Sequence, residues 1–413
     1  MLTRREMLIR TLQGSSLLAV GSVVPQFLVN TARAAETGKD NVLVVVEMTG
    51  GNDGLNTVIP YADDLYQKAR PTLAFTKQQV VKVDDNIGLH PALRPLEPQL
   101  GQLAIVQGVG YPNPDRSHFE SMDIWQSADP KRQIKTGWVG RSTPDLFDKR
   151  GSIPVMEIGG ANRLPLALQG AAGGVVSINF KAQYQLSLGV DEDQKKTRRK
   201  LVEDLNNATE HDKDDLLQFV QRRQTQTYTT LDKLQEVLRA RNRPGGNRFG
   251  PQNLLAEKLE LVSSLINQGF GTRVFYVSID GFDTHSGQAE SHRKLLDELA
   301  NGIANFFNNL KQTGNDKRVA LMTFSEFGRR VYENGSKGTD HGSGSCLFVT
   351  GPAIKGGAVG KHPSLSELDS GDLKWHTDFR RVYATLLDQW LAVDSRAVLG
   401  GDKFEHLELI KTA

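Results

Sequence analysis

Two carboxylates and an imidazole fall within six residues at Asp280-Gly281-Phe282-Asp283-Thr284-His285. A second such pair, Asp340-His341, lies in Gly338-Thr339-Asp340-His341-Gly342, and Asp53 closes the glycine-rich stretch Thr49-Gly50-Gly51-Asn52-Asp53. Carboxylates and imidazoles together are hard-to-borderline ligands suited to a divalent metal, Zn²⁺, Mn²⁺ or Mg²⁺. Asp53, Asp280, Asp283, His285, Asp340 and His341 are the candidate ligands. Two ions about 4 Å apart would hold the attacking and leaving oxygens of a phosphoryl or sulfuryl transfer. Ser117, in Asp115-Arg116-Ser117-His118-Phe119-Glu120, is a candidate nucleophile where helix-end amides bind an anion. It fits the helix cap of a Ser117/Glu120 capping box equally well. His118 is a candidate ligand or base, Glu326 a ligand or general base, and Arg116, Arg329 and Arg330 are placed to pair with an anionic ester substrate.

These residues have to be brought together by buried strands. Val42–Glu47, Val274–Ile279 and Val319–Phe324 are apolar runs, each emptying into a small polar loop with an acid in it. Such runs read as strands covered on both faces, and open α/β sheets hold ligands beyond the carboxyl ends of their strands. Leu103–Val109 reads as another strand, leading through Pro112 and Pro114 to Ser117. Leu254–Gln268 and Ala289–Leu310 read as helices on either side of Val274–Ile279, which gives the strand–helix–strand order of a parallel sheet. Cys346–Thr350 reads as a strand and Asp378–Val393 as an amphipathic helix. Residues 191–261 are charged and helical in period, a helical insertion.

The totals exclude several classes. Net charge is +2, but the first 34 residues hold four arginines and one glutamate, which leaves −1 on the remainder. No basic patch argues for nucleic acid. The one cysteine, Cys346, rules out an intrachain disulfide and a thiolate cluster. Residues 1–34 have the form of a signal peptide: Arg4-Arg5, the apolar stretch Leu17–Val29 and Ala32-Arg33-Ala34. The paired arginines point to a twin-arginine signal, with the twin-arginine translocase as partner during export. The expectation is an exported protein, periplasmic or extracellular, with no stable membrane insertion after cleavage, whose residues 35–413 form one domain.

Longer motifs carry a family resemblance. T-G-G-N-D-G-L-N-T-V-I-P-Y (49–61), I-V-Q-G-V-G-Y-P-N-P-D-R-S-H-F-E-S-M-D-I-W (105–125), G-F-D-T-H (281–285), T-F-S-E-F-G-R-R (323–330), G-T-D-H-G (338–342) and T-D-F-R-R-V-Y-A-T-L-L (377–387) resemble the exported domain-of-unknown-function 1501 family. That family is similar in fold to the alkaline phosphatase/sulfatase superfamily. The resemblance implies a three-layer α/β sandwich with a mostly parallel central sheet and usually a two-metal site. It also implies a metal-dependent hydrolase of phosphate or sulfate esters, with Asp53 as the first-strand acid and Ser117 placed like the nucleophile. The superfamily's Asp-His doublet directly follows a strand, whereas Ser325-Glu326 follows Val319–Phe324 here and Asp340-His341 comes later. Cys346-Leu347-Phe348 lacks the context for a formylglycine sulfatase. The alternative is a non-catalytic exported binding or assembly protein that retains the fold.

Overall fold

A computed structural model describes residues 41–146, 153–159, 164–170, 175–178 and 254–411. The expected leader and most of the expected helical insertion lie outside these residues.

The first strand, β1 (Val42–Thr49), has apolar side chains on both faces, and the structure gives it two cores to fill. Val42, Val44, Val46 and Met48 enter one core, and Leu43 and Val45 the other. Alternation of this kind makes a strand stable only at the centre of a sheet. Its neighbours are β5 (Val274–Asp280) and β6 (Val319–Phe324), both parallel to it. The remaining strands of this sheet are β2 (Leu103–Gly110), the short β3 (Val155–Ile158) and β4 (Val175–Ile178), β7 (Ser345–Thr350), β8 (Gly357–Val359) and β9 (Thr377–Asp378). The sheet runs β8-β2-β7-β6-β1-β5-β3-β4, with β9 also on β2. Among the described strands of this sheet only β7 is antiparallel to its neighbours.

Helices cover both faces. α5 (Leu254–Asn267) and α6 (Gln288–Lys311) close the first core with Leu259, Val262, Leu299, Ile303 and Phe306. α3 (His118–Ser127), α4 (Trp138–Leu146) and α7 (Phe379–Thr385) close the second with Trp125, Trp138 and Tyr383. Two short helices, α1 (Gly54–Thr57) and α2 (Asp64–Ala69), follow β1. The expected three-layer α/β sandwich with a mostly parallel sheet is what forms. The tail expected as one helix from Asp378 to Val393 is instead α7, capped by Asp378, followed by a wider π-helical turn at Leu386–Leu391. No described helix is long and apolar enough to cross a membrane.

Parallel order in the sheet centre has one consequence for chemistry. The carboxyl ends of β1, β5 and β6 lie side by side, so the loops from Gly50, Gly281 and Ser325 emerge at one edge. Gly50 has φ +118°, and a Cβ there would collide with the backbone of Phe282 and Asp283. Only glycine lets the first loop come this close to the second.

Candidate metal centre

The clamp on these loops is Arg329, a wholly buried arginine one turn beyond β6. Its Nε donates to the Gly51 carbonyl at 2.7 Å and its Nη1 to that of Thr339 at 2.9 Å. Nη2 donates to the carbonyls of Gly50 and Phe282 and, at 2.7 Å, to Asp283 Oδ1. One guanidinium thus fastens the loops after β1, β5 and β6 and fixes the Asp283 carboxylate. Burial pushes the Asp283 carboxyl up, but the Arg329 guanidinium beside it prevails and the carboxyl lies at about 2. With its donors spent on the protein, Arg329 does not serve the substrate-pairing role expected of it. No sequence pattern separates it from its neighbour Arg330.

Three imidazoles surround Asp283 Oδ1. His341 Nε2 lies 3.1 Å from it, His285 Nε2 3.0 Å and His118 Nε2 3.5 Å. The Nε2 atoms of His285 and His341 are 2.9 Å apart. The donor atoms of His118, Asp283 and His341 all lie within 4.8 Å of one another. The side chains are one-fifth to one-half exposed, so solvent reaches the cluster. The ring of the buried Phe327 packs beneath His118 and His341 at centroid distances of 4.9 and 4.7 Å.

The other nitrogen of each ring is occupied by an acceptor. His118 Nδ1 is 2.9 Å from Glu326 Oε1, His285 Nδ1 is 3.3 Å from Asp340 Oδ1, and His341 Nδ1 is 2.8 Å from the Arg116 carbonyl. Ionised carboxylates and carbonyls only accept, so each Nδ1 carries the proton. In the neutral rings each Nε2 therefore presents a lone pair to the cluster. His118 Nε2 is buried and has no hydrogen-bond partner. Carboxylate–histidine pairs of this kind fix the tautomer and aim of a metal-binding imidazole.

Glu326 is well supported in that role. It is buried, and Oε1 also accepts from the Gly50 amide at 2.8 Å while Oε2 accepts from Ser325 Oγ at 2.9 Å. Burial raises the carboxyl, but the His118 bond and these donors outweigh it, so it lies below the ordinary value. Ser121 donates to the Glu326 carbonyl and pairs with Tyr111 Oη at 2.7 Å, which ties the first turn of α3 to the same residue. Glu326 thus holds a ligand candidate instead of facing the cluster itself. Glu326→Gln is expected to weaken metal affinity by roughly 10–100-fold with the fold retained. Titration of a zinc-competing chromophore, with circular dichroism as the folding check, would measure it.

The other expected residues are distributed unevenly. Asp340 stands behind His285 and also accepts from Asn334 Nδ2 at 3.1 Å, an orienting position. Asp280 is exposed at the end of β5. Asp53 is fully buried and committed elsewhere. It accepts from Arg70 Nη1 at 2.6 Å and Nη2 at 3.1 Å, from the Asn56 amide and from Gln288 Nε2. Ser117 directly precedes His118 and is half-buried at the N-cap of α3, but its side chain makes no cap hydrogen bond. The expected capping box does not form, because Glu120 turns to Arg132 instead.

The family model described as "Protein of unknown function (DUF1501)" matches residues 40–403. The chain belongs to the DUF1501 family. No curated protein matches it. Among solved structures, this DUF1501 chain is similar to a 2-O GAG sulfatase, at 8% identity and TM-score 0.31 over 77% of this chain and 65% of that one. It thus spans just under two thirds of that protein. It is similar to the PsFucS1 sulfatase from Pseudoalteromonas sp., at 11% identity and TM-score 0.37 over 86% and 73%. It is also similar to the C-terminal periplasmic domain of EcEptC from Escherichia coli, at 12% identity and TM-score 0.37 over 89% of each.

Proposed function

We propose that the chain is an exported metal-dependent hydrolase of phosphate or sulfate esters, with one divalent ion held by His118, His285, His341 and Asp283. The observation that carries the reading is the convergence of three Nε2 atoms on a carboxylate oxygen, with every Nδ1 already occupied. Lone pairs this close repel unless a proton or a metal ion lies among them. Nitrogen-rich donors with a single carboxylate favour zinc over magnesium. A bound ion would supply Lewis-acid polarisation of the ester oxygen.

The chain's own residues supply the rest. Arg329 holds Asp283 ionised and immobile, while Glu326, Asp340 and the Arg116 carbonyl keep the imidazoles aimed. Ser117, next to a ligand and free of a capping bond, is the nucleophile in this reading. Twin-arginine export through the leader places the reaction in the periplasm or outside the cell.

A second reading has a specific observation in its favour. Four protein donors can complete a tetrahedral sphere, as structural metal sites do, and the chain would then be a non-catalytic binding or assembly protein. The two readings part on one experiment. Zinc-loaded protein is assayed against aryl phosphate and aryl sulfate monoesters, alongside Ser117→Ala. The hydrolase reading expects turnover that falls at least about 10³-fold in the variant with metal retained. Stoichiometric metal with no turnover of either ester class supports the binding protein.

A further inference from the structure

Beside the histidines stands a pair of arginines that share one buried carboxylate. Arg116 donates through Nε and Nη2 to Asp372 Oδ2 at 2.9 and 2.7 Å. Arg330 Nε approaches the other oxygen, Oδ1, at 3.8 Å, beyond hydrogen-bond length. Asp372 is 3% exposed, and its Oδ1 is buried without a hydrogen-bond partner. The arginine side chains are about two-fifths exposed. The two guanidiniums share this one buried carboxylate, with Asp340 also near Arg330 and Asp369 near Asp372, and most of their N–H groups are unspent among the described residues.

The backbones of both arginines are bonded into the histidine cluster. The Arg116 carbonyl accepts from His341 Nδ1, and the Arg330 amide donates to the Asp340 carbonyl at 3.0 Å. Asp372 belongs to a short hairpin, and the neighbouring Gly371 carbonyl accepts from the Val331 amide at 3.4 Å. The cationic pair is therefore built into the lip of the cluster, in fixed register with it. Buried, half-satisfied Asp372 explains why two like charges lie side by side at an exposed rim.

From this arrangement we infer that Arg116 and Arg330 form a subsite for a second anionic group, so that the substrate is a polyanionic ester bearing a further sulfate, phosphate or carboxylate beside the reacting one. The inference rests on the hydrolase reading for the reacting group only. Guanidiniums bind such oxyanions through paired N–H donors. A lone anion held at the histidine cluster would leave this pair unanswered.

The test compares a monosulfated disaccharide with its disulfated counterpart by calorimetry on zinc-loaded protein, wild type and Arg330→Gln. Metal content is read in the same samples. Arg330 makes no side-chain hydrogen bond among the described residues, so the variant is expected to fold and keep its ion. The wild type is expected to bind the disulfated ligand about tenfold more tightly, the yield of one or two charge-assisted bonds. Arg330→Gln should erase most of that preference. Equal affinity of the wild type for both ligands would overturn the proposal, and so would a variant that weakens both by the same factor. Failure of the metal reading registers separately, as absence of zinc from the wild type.

Discussion

Asp53→Asn is expected to cost roughly 3–5 kcal/mol of stability, because it strands the buried Arg70 guanidinium without its counter-charge. Both side chains of the pair are wholly buried at 2.6 Å. Arg70 also donates to the carbonyls of Arg330 and Val331, so the pair fastens the loop after β1 to the chain beyond β6. Burial pushes the Asp53 carboxyl up, but Arg70 outweighs it and holds it at about 2. A depressed folded-state value adds stability that is fully present above the unfolded value near 4 and lost as pH falls toward 2. Urea denaturation between pH 2 and 7 should therefore show an acid limb in the wild type that flattens in the variant. The variant should keep its metal. A loss under about 1 kcal/mol, accompanied by loss of the ion, would instead make Asp53 a ligand.

His118→Ala and His341→Ala should each reduce zinc affinity at least about 10³-fold, beyond the loss expected for an orienting partner such as Glu326. The pH dependence has a definite sign. A proton on Nε2 competes with the ion, so affinity falls on acidification. The Glu326 bond raises His118 above the usual histidine value, whereas burial lowers His341. His118 is thus the first of these two to compete as pH falls, already above about 6.5. Competition titrations at pH 6, 7 and 8 would show this slope in the wild type and a shallower one in His118→Ala.

Much of the sheet is legible in the sequence because its central strands are apolar on both faces. The runs at Val42, Val274 and Val319 declare themselves, and so does the acid-bearing loop after each. Sheet order is different, since nothing local says that Val42–Thr49 lies between the other two strands. The Asp283/His285 and Asp340/His341 pairs stand out by ligand type and spacing. Asp53 carries the same signal and ends in an ion pair, because its partner Arg70 comes from the end of a later helix with no periodic mark. Ser117 and Glu120 match a capping box by spacing, but Arg132, 12 residues on, takes the glutamate. Glu326 reads as ligand or base from its position after a strand. Only the arrangement of Gly50, Ser325 and His118 around it reveals an orienting group. The Arg116 carbonyl that fixes His341 has no side-chain signature.

The three imidazoles and Asp283 are proposed to hold a metal ion. That site is tested by zinc-edge X-ray absorption on the protein purified without chelator and brought to one equivalent of zinc, next to a His285→Ala/His341→Ala double variant. The expected spectrum has a nitrogen/oxygen shell at about 2.0–2.1 Å with imidazole scattering, which collapses in the variant. A wild type that retains no zinc and takes none up on titration would rule this metal site out, as would a spectrum identical in the two proteins.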